Sequence, residues 1–276
     1  MNSPPRFSDD YTDRQTEAAR RVLVDIGQIL GGFRESMVIV GGWVPDLLLS
    51  SATETHIGSI DVDIALDAQK LTGNLYADLL DLLLETRRFQ LGDKEFRLIS
   101  TVDLKDGADP IDVEVDFLAS SEFKIKGKGV FPGFRVLQAD ACELAFRAPV
   151  DIPISGLNTS GSRNTVHLRV ASLPDFLVMK AHALGGRDKP KDAYDFCYCL
   201  DHFPAGAAGI AQAWKSSADP AVANALSILR EKFETIDSFG PRQAVAFHSP
   251  ASKAEGNRIA RRAFELVQVF LQEFTG

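Results

Sequence analysis

The stretch Val38–Leu66, VIVGGWVPDLLLSSATETHIGSIDVDIAL, decides how this 276-residue chain is read. Val38-Ile39-Val40 is a short β-branched run that stops at Gly41-Gly42, and Trp43 to Leu49 then reads as one or two turns of apolar helix. Pro45 suits a first helical turn, where its missing N–H costs nothing. From Ser59 to Leu66 the pattern has period two: Ile60, Val62, Ile64 and Leu66 face one side of a strand, and Ser59, Asp61 and Asp63 share the other. Carboxylates two residues apart on a strand stand roughly 7 Å from each other. They are hard oxygen ligands suited to Mg²⁺, which is held by one or two of them plus substrate phosphates. The glycine pair presents backbone N–H groups with no Cβ in the way, next to a helix N-terminus where a phosphate binds well.

Gly-Gly-Trp followed by Ser-x-Asp-x-Asp resembles the nucleotidyltransferase superfamily signature, a Gly-Gly turn followed by Asp-x-Asp. Within that superfamily the nearest likeness is to the AbiEii type of nucleotidyl transferase toxin, whose commoner turn reads Gly-Gly-Thr, so Trp43 is a departure. Gly-Gly-Trp also resembles aminoglycoside adenylyltransferases.

A second alternating run, Ile111-Asp112-Val113-Glu114-Val115-Asp116-Phe117-Leu118, puts three acids on one strand face. The resemblance implies a third carboxylate on such a strand, beside the Asp-x-Asp strand, and points to Asp116, with Glu114 or Asp112 as alternatives. Clustered carboxylates raise one another's pKa, and a bound cation relieves that repulsion.

A third stretch, Lys180 to Asp195, is also similar to the toxin family: a lysine, then Ala-Leu and Arg, then a basic residue, Asp, two residues and Asp. Position by position, Lys180 takes the place of a phosphate-binding lysine, Arg187 of the arginine that follows it and Asp192 of the motif aspartate, with Asp195 close behind. Leu173, Leu177, Lys180 and Leu184 fall on one helix face, so the lysine either snorkels out or points into a cleft, because a buried charge without a partner is costly.

Composition bounds the rest. Thirty Lys and Arg against 38 Asp and Glu give a net charge of −8, which argues against a broadly basic nucleic-acid binder. Hydrophobic residues at 45% suffice for a globular core. No run of eighteen apolar residues occurs and the N-terminus lacks a charged, then apolar, leader, so a cytoplasmic protein without membrane contact is expected. Cys142, Cys197 and Cys199 lack paired metal spacing and read as reduced structural residues. His182, alone between alanines, is given no metal role.

Along the chain, helices are expected from about Thr12 to Leu30 and from Leu71 to Arg88, and strands at 96–102, 111–118 and 165–170. Residues 134–150 have strand-like character and 151–164 read as a long loop. Lys124, Lys126 and Lys128 lie in a polar loop. From Ser172 the chain is mostly helical, with further helices expected at 207–215, 220–233 and 257–274, and Arg258, Arg261 and Arg262 lie on a solvated helix face.

The expected fold is α/β (α+β): a nucleotidyltransferase-type small mixed sheet flanked by helices in residues 1–170, and a helical C-terminal domain in 171–276 that supplies Lys180 across a cleft. The resemblance implies transfer of a nucleoside monophosphate from a nucleoside triphosphate to a hydroxyl. Asp61, Asp63 and Asp116 would bind two Mg²⁺ ions, with Asp61, Asp63, Asp116, Lys180 and Asp192 as the catalytic set. Gly41, Gly42, Ser59, Lys180 and Arg187 would bind the nucleotide. It further implies a toxin–antitoxin or phage-defence toxin with tRNA as acceptor and a cognate antitoxin. Adenylylation of a small molecule such as an aminoglycoside and catalytically silent nucleotide binding are the alternatives.

Overall fold

The computed structural model describes residues 5–67, 69–71, 74–120 and 135–275. The lysines at 124, 126 and 128 lie outside them. In chain order the elements are α1 (Asp13–Ile29), β1 (Met37–Val40), α2 (Trp43–Leu48), β2 (Val62–Leu66), α3 (Leu75–Glu85), β3 (Gln90–Leu91), β4 (Arg97–Val102), β5 (Ile111–Ala119), β6 (Leu137–Gln138), β7 (Val150–Leu157), β8 (Arg163–Val170), α4 (Leu173–Gly186), α5 (Pro190–His202), α6 (Gly206–Lys215), α7 (Pro220–Lys232), α8 (Phe239–His248) and α9 (Lys253–Gln272). The fold is mixed α/β, as the alternating strand patterns require.

Two compact units result. The sheet unit comprises Thr12–Val44 and Gly58–Ser172. Its described strands form one mixed sheet in the order β3-β4-β5-β2-β1-β8-β7, with β6 paired to the end of β5. β1 is antiparallel to β2, while β2 runs parallel to β5, with Asp63 opposite Asp116. β4 is antiparallel to β5, with Arg97 opposite Asp116. Central β1 is buried along its whole length, and Val62, Ile64, Val113, Val115 and Phe117 line one face of β2 and β5 at 0% exposure, as period-two burial demands.

Helix α1 covers part of this sheet. Thr12 caps it, its hydroxyl accepting from the Gln15 N–H while the Gln15 side chain accepts from the Thr12 N–H. Its buried stripe, Ala18, Val22, Ile26 and Leu30, lies on the face with helical spacing. The helical unit comprises Met1–Tyr11, Pro45–Ile57 and Leu173–Gly276, so two segments from the first sixty residues join the C-terminal helices. Its core centres on Trp214, packed edge-on against Phe270 at 5.0 Å, with Phe196, Phe233 and Phe247 also buried.

Four local expectations change. The second helix is shorter, Leu75–Glu85 instead of 71–88. The stretch read as a loop at 151–164 holds most of β7, a hairpin partner of β8. Pro153 obscured it in the sequence; β7 is an edge strand, where a missing donor is tolerated. Between 134 and 150 the described part has only the two-residue β6, the start of β7 and a 3-10 helix at Cys142–Phe146. Helix α8 was not expected, because Gly240 and Pro241 sit near its start, where both are tolerated.

Gly27 sits in mid-α1, where a Cβ would meet Val166 Cγ2 on β8 at 2.7 Å. Gly27→Ala should therefore lower stability by about 1–3 kcal/mol through overpacking, although alanine is the better helix former. Urea denaturation checks this, and a stabilised variant would show that α1 does not press on β8 this closely.

Candidate active site

The acids of β2 and β5 are brought onto one face by register. Because Asp63 pairs with Asp116 across parallel strands and Arg97 pairs with Asp116 across antiparallel ones, Arg97, Asp116 and Asp63 form one row over three strands. Directly opposed residues of neighbouring strands share a face, so this row follows from backbone pairing alone. Asp61 lies just ahead of β2, which starts at Val62. Its carboxylate accepts from the Ser59 hydroxyl at 2.5 Å, and its carbonyl oxygen accepts from the Trp43 indole N–H at 2.8 Å. Trp43, the departure in the glycine turn, is 2% exposed and fixes the backbone of the first aspartate.

Gly41 has φ +69°, and a Cβ there would lie 1.9 Å from Asp63 Oδ2. The glycine turn thus makes room for the second carboxylate as well as turning the chain from β1 into α2. Gly42 beside it is buried.

Arg97, which the sequence reading passed over, joins this row. Its Nε and Nη2 donate to the two oxygens of Asp116 at 2.7 and 2.8 Å, and Nη1 reaches Glu114 at 2.6 Å. Burial works against its charge, but the Asp116 and Glu114 carboxylates outweigh that and raise its pKa. Glu114 is shifted upward, by desolvation first and then by the charges of Asp116 and Asp61, with Arg97 opposing. Asp112 is exposed and bonds Thr101. A charged residue opening the strand RLISTV, directly ahead of Leu98 and Ile99, was the available signal for Arg97.

The helical unit carries the second group of expected residues. Lys180 neither snorkels nor stands alone: it is 7% exposed and its Nζ lies 2.8 Å from both Asp192 and Asp195 of α5. Arg187 binds both oxygens of Asp192 at 2.7 and 2.8 Å, its own side chain half exposed. Lys191 donates to Asp195 at 2.7 Å. Burial alone would raise the aspartate pKa values, yet Lys180 and its neighbours pull Asp192 down to about 2 and Asp195 well below the usual carboxylate range. Burial likewise disfavours the Lys180 charge, and the two aspartates overcome it to raise its pKa. Lys180, Lys191 and Arg187 thus surround the two carboxylates.

His56 completes the cluster. Its Nε2 lies 3.0 Å from Asp195, and its ring stacks on Tyr194 and meets Tyr198 edge-on. Burial, then Lys191, lowers its pKa from 6.5 to about 4, with Asp195 opposing. An ionised Asp195 can only accept, so this contact is a hydrogen bond from a neutral imidazole and not an ion pair. Tyr198 donates to the Glu54 carbonyl at 2.6 Å and the Ile57 N–H donates to Tyr194 at 3.2 Å, so α5 holds residues 54–57 just upstream of Ser59. His182 makes a hydrogen-bond contact with the Ala221 carbonyl at 2.9 Å. On α9, Arg262 pairs with Asp201 and Arg261 with Glu265.

Among the described residues, no three His, Cys, Asp or Glu side chains converge as a metal cage. The pair Asp61 and Asp63 still fits a hard cation that keeps several waters and takes its remaining ligands from a phosphate. No described helix is long and apolar enough to cross a membrane.

The family described as "Nucleotidyl transferase AbiEii toxin, Type IV TA system" matches residues 59–261, most of the chain. No curated relative matches the sequence. Among solved structures, an antigenic nucleotidyltransferase-like protein from Paracoccidioides brasiliensis is similar at 16% identity and a TM-score of 0.42, over 79% of this chain and 89% of that one. JHP933 from Helicobacter pylori is similar at 11% identity and a TM-score of 0.48, over 95% of this chain and 93% of that one.

Two outcomes follow from this geometry. Gly41→Ala combines left-handed strain with a clash on Asp63, whereas Gly161→Ala, at φ +81° with open space around it, carries the strain alone. The first should cost about 1–3 kcal/mol more than the second in chemical denaturation, and equal costs would mean that Asp63 does not occupy the space over Gly41. For His56, the unfolded imidazole protonates near 6.5 and the folded one only near 4, so its stabilisation is complete above 6.5 and is lost as pH falls towards 4. From pH 7 to 5 this group should cost roughly 2 kcal/mol, and His56→Gln should remove that loss. His248, also lowered by burial, is present in both proteins, so an equal loss in both would acquit His56.

Proposed function

We propose that this chain, which belongs to the AbiEii nucleotidyl transferase toxin family of type IV toxin–antitoxin systems, moves a nucleoside monophosphate from a nucleoside triphosphate to a hydroxyl of tRNA. The observation that carries the reading is the level shared by Asp63 and Asp116, with Asp61 two residues ahead and Gly41 opening space for the Asp63 carboxylate. In the reaction the acceptor hydroxyl gives up its proton to water as its oxygen attacks the α-phosphorus, the bond from that phosphorus to the β-phosphate bridge oxygen breaks, and pyrophosphate leaves.

Asp61 and Asp63 would hold Mg²⁺ in this reading. Bound there, it would supply charge neutralisation for the triphosphate and lower the pKa of the attacking hydroxyl. Ser59 and the Trp43 indole orient Asp61, and the missing Cβ of Gly41 lets the Asp63 carboxylate stand at the turn. Asp116 is the third carboxylate, beside Asp63. Gly41, Gly42 and Ser59 form the nucleotide-binding turn. Lys180, Arg187 and Asp192 keep the roles that the family likeness gives them, the lysine and arginine being groups that suit a polyanionic substrate. Because the family is one of toxins, the partner we assign is an antitoxin.

Purified protein incubated with Mg²⁺, each labelled nucleoside triphosphate in turn and total tRNA should label the tRNA with one preferred nucleotide. Asp61→Asn should reduce that labelling at least about a hundredfold. Label appearing on an aminoglycoside instead would replace tRNA by a small hydroxylated acceptor. Triphosphate binding with no transfer to either acceptor would leave a nucleotide-binding protein.

A further inference from the structure

The Arg97 guanidinium is a permanent cation within the carboxylate face, its side chain only 9% exposed. Its fork matches Asp116 in two-point geometry, and its remaining amino group reaches Glu114. The rest of the residue is clamped as well. The Gly92 N–H donates to the Arg97 carbonyl at 2.9 Å, and a Cβ on Gly92 would stand 2.8 Å from Arg97 Cγ. The Arg97 N–H in turn donates to the Lys94 carbonyl at 3.1 Å.

Resting on the nucleotidyl-transfer reading above, we propose that Arg97 is a fixed counter-cation of this centre, a positioning residue that engages Asp116 so that the chain binds one divalent ion, on Asp61 and Asp63, and not two. Both Asp116 oxygens already accept from Arg97, and the guanidinium charge beside them repels a second divalent ion at that carboxylate. Asp61 and Asp63 sit on the other side of Asp116 from Arg97 in the strand order, so the same repulsion weakens along the row. A purely structural ion pair would stabilise the sheet without setting the number of ions bound.

The test is a titration of the full chain with Mn²⁺ alone, free ion being read by electron paramagnetic resonance. Wild type should bind one ion, Asp61→Asn should abolish it, and Asp116→Asn should leave its affinity within about tenfold, since Asp116 is not a ligand. Arg97→Gln should bind two ions, the second lost again in Arg97→Gln/Asp116→Asn. The double variant keeps a neutral hydrogen-bonding pair and guards against a fold that fails around an unpaired Asp116. Two ions on wild type with one lost in Asp116→Asn would overturn the proposal and leave the transfer reading standing. So would a single ion on a folded Arg97→Gln, or a much larger loss of the wild-type ion in Asp116→Asn. No ion on wild type, and none when a nucleoside triphosphate is added, would overturn the divalent-ion reading itself.

Discussion

Strand register is the constraint on which the candidate centre depends. Side chains alternate along a strand, so slipping β5 by one residue against β2 would turn Asp112, Glu114 and Asp116 to the opposite face and put Val113, Val115 and Phe117 where the acids now stand. Those three apolar residues are at 0% exposure, so burial holds the register that the acids need. On the β4 side, Arg97 adds a second lock, because its fork meets Asp116 only at the pairing observed. The apolar face and the polar face therefore specify the same alignment. Agreement of this kind gives a sheet one register instead of several.

The helical unit solves a different problem, the burial of charge. Lys180, Lys191, Asp192 and Asp195 are all buried. Each charge is accepted because the others surround it: Asp195 alone faces Lys180, Lys191 and His56. Replacing such a network by apolar residues of similar size is often neutral, while deleting a single member strands the rest and costs about 3–5 kcal/mol. The network is thus poor evidence of a need for stability. Arg187 differs from its neighbours, being half exposed while both ends of its fork remain on Asp192.

Much of the sheet unit was legible because period-two alternation is a local signal. The strand with Asp61 and Asp63, the strand with Asp116 and the glycine turn could each be read from a few adjacent residues. The Arg97–Asp116 pair could not, since it joins residues 19 apart through a register that no single segment contains. The His56–Asp195 bond spans 139 positions and was still less accessible. Lys180 shows a partial reading: its place in an apolar stripe exposed a conflict, and the resolution came from two aspartates on the next helix. β7 was missed because Pro153, Ser155 and Gly156 suggest a loop, whereas an edge strand paired on one side tolerates them.

Trp43 acts through its side chain and not as a motif letter. Judged as a letter in a motif it departs from the commoner toxin turn; judged as a side chain it is a buried indole whose N–H is spent on the Asp61 carbonyl. A threonine there has no reach of that kind, so this chain fixes Asp61 by its own means, with the Ser59 hydroxyl on the carboxylate and Trp43 on the backbone. Asp63 is set differently, by strand pairing and by the space that Gly41 leaves. Two carboxylates two residues apart are therefore positioned by independent devices. A polar surface patch has no use for that separation, whereas the cation-binding pair we propose requires it, because each ligand must be placed to within a fraction of an ångström.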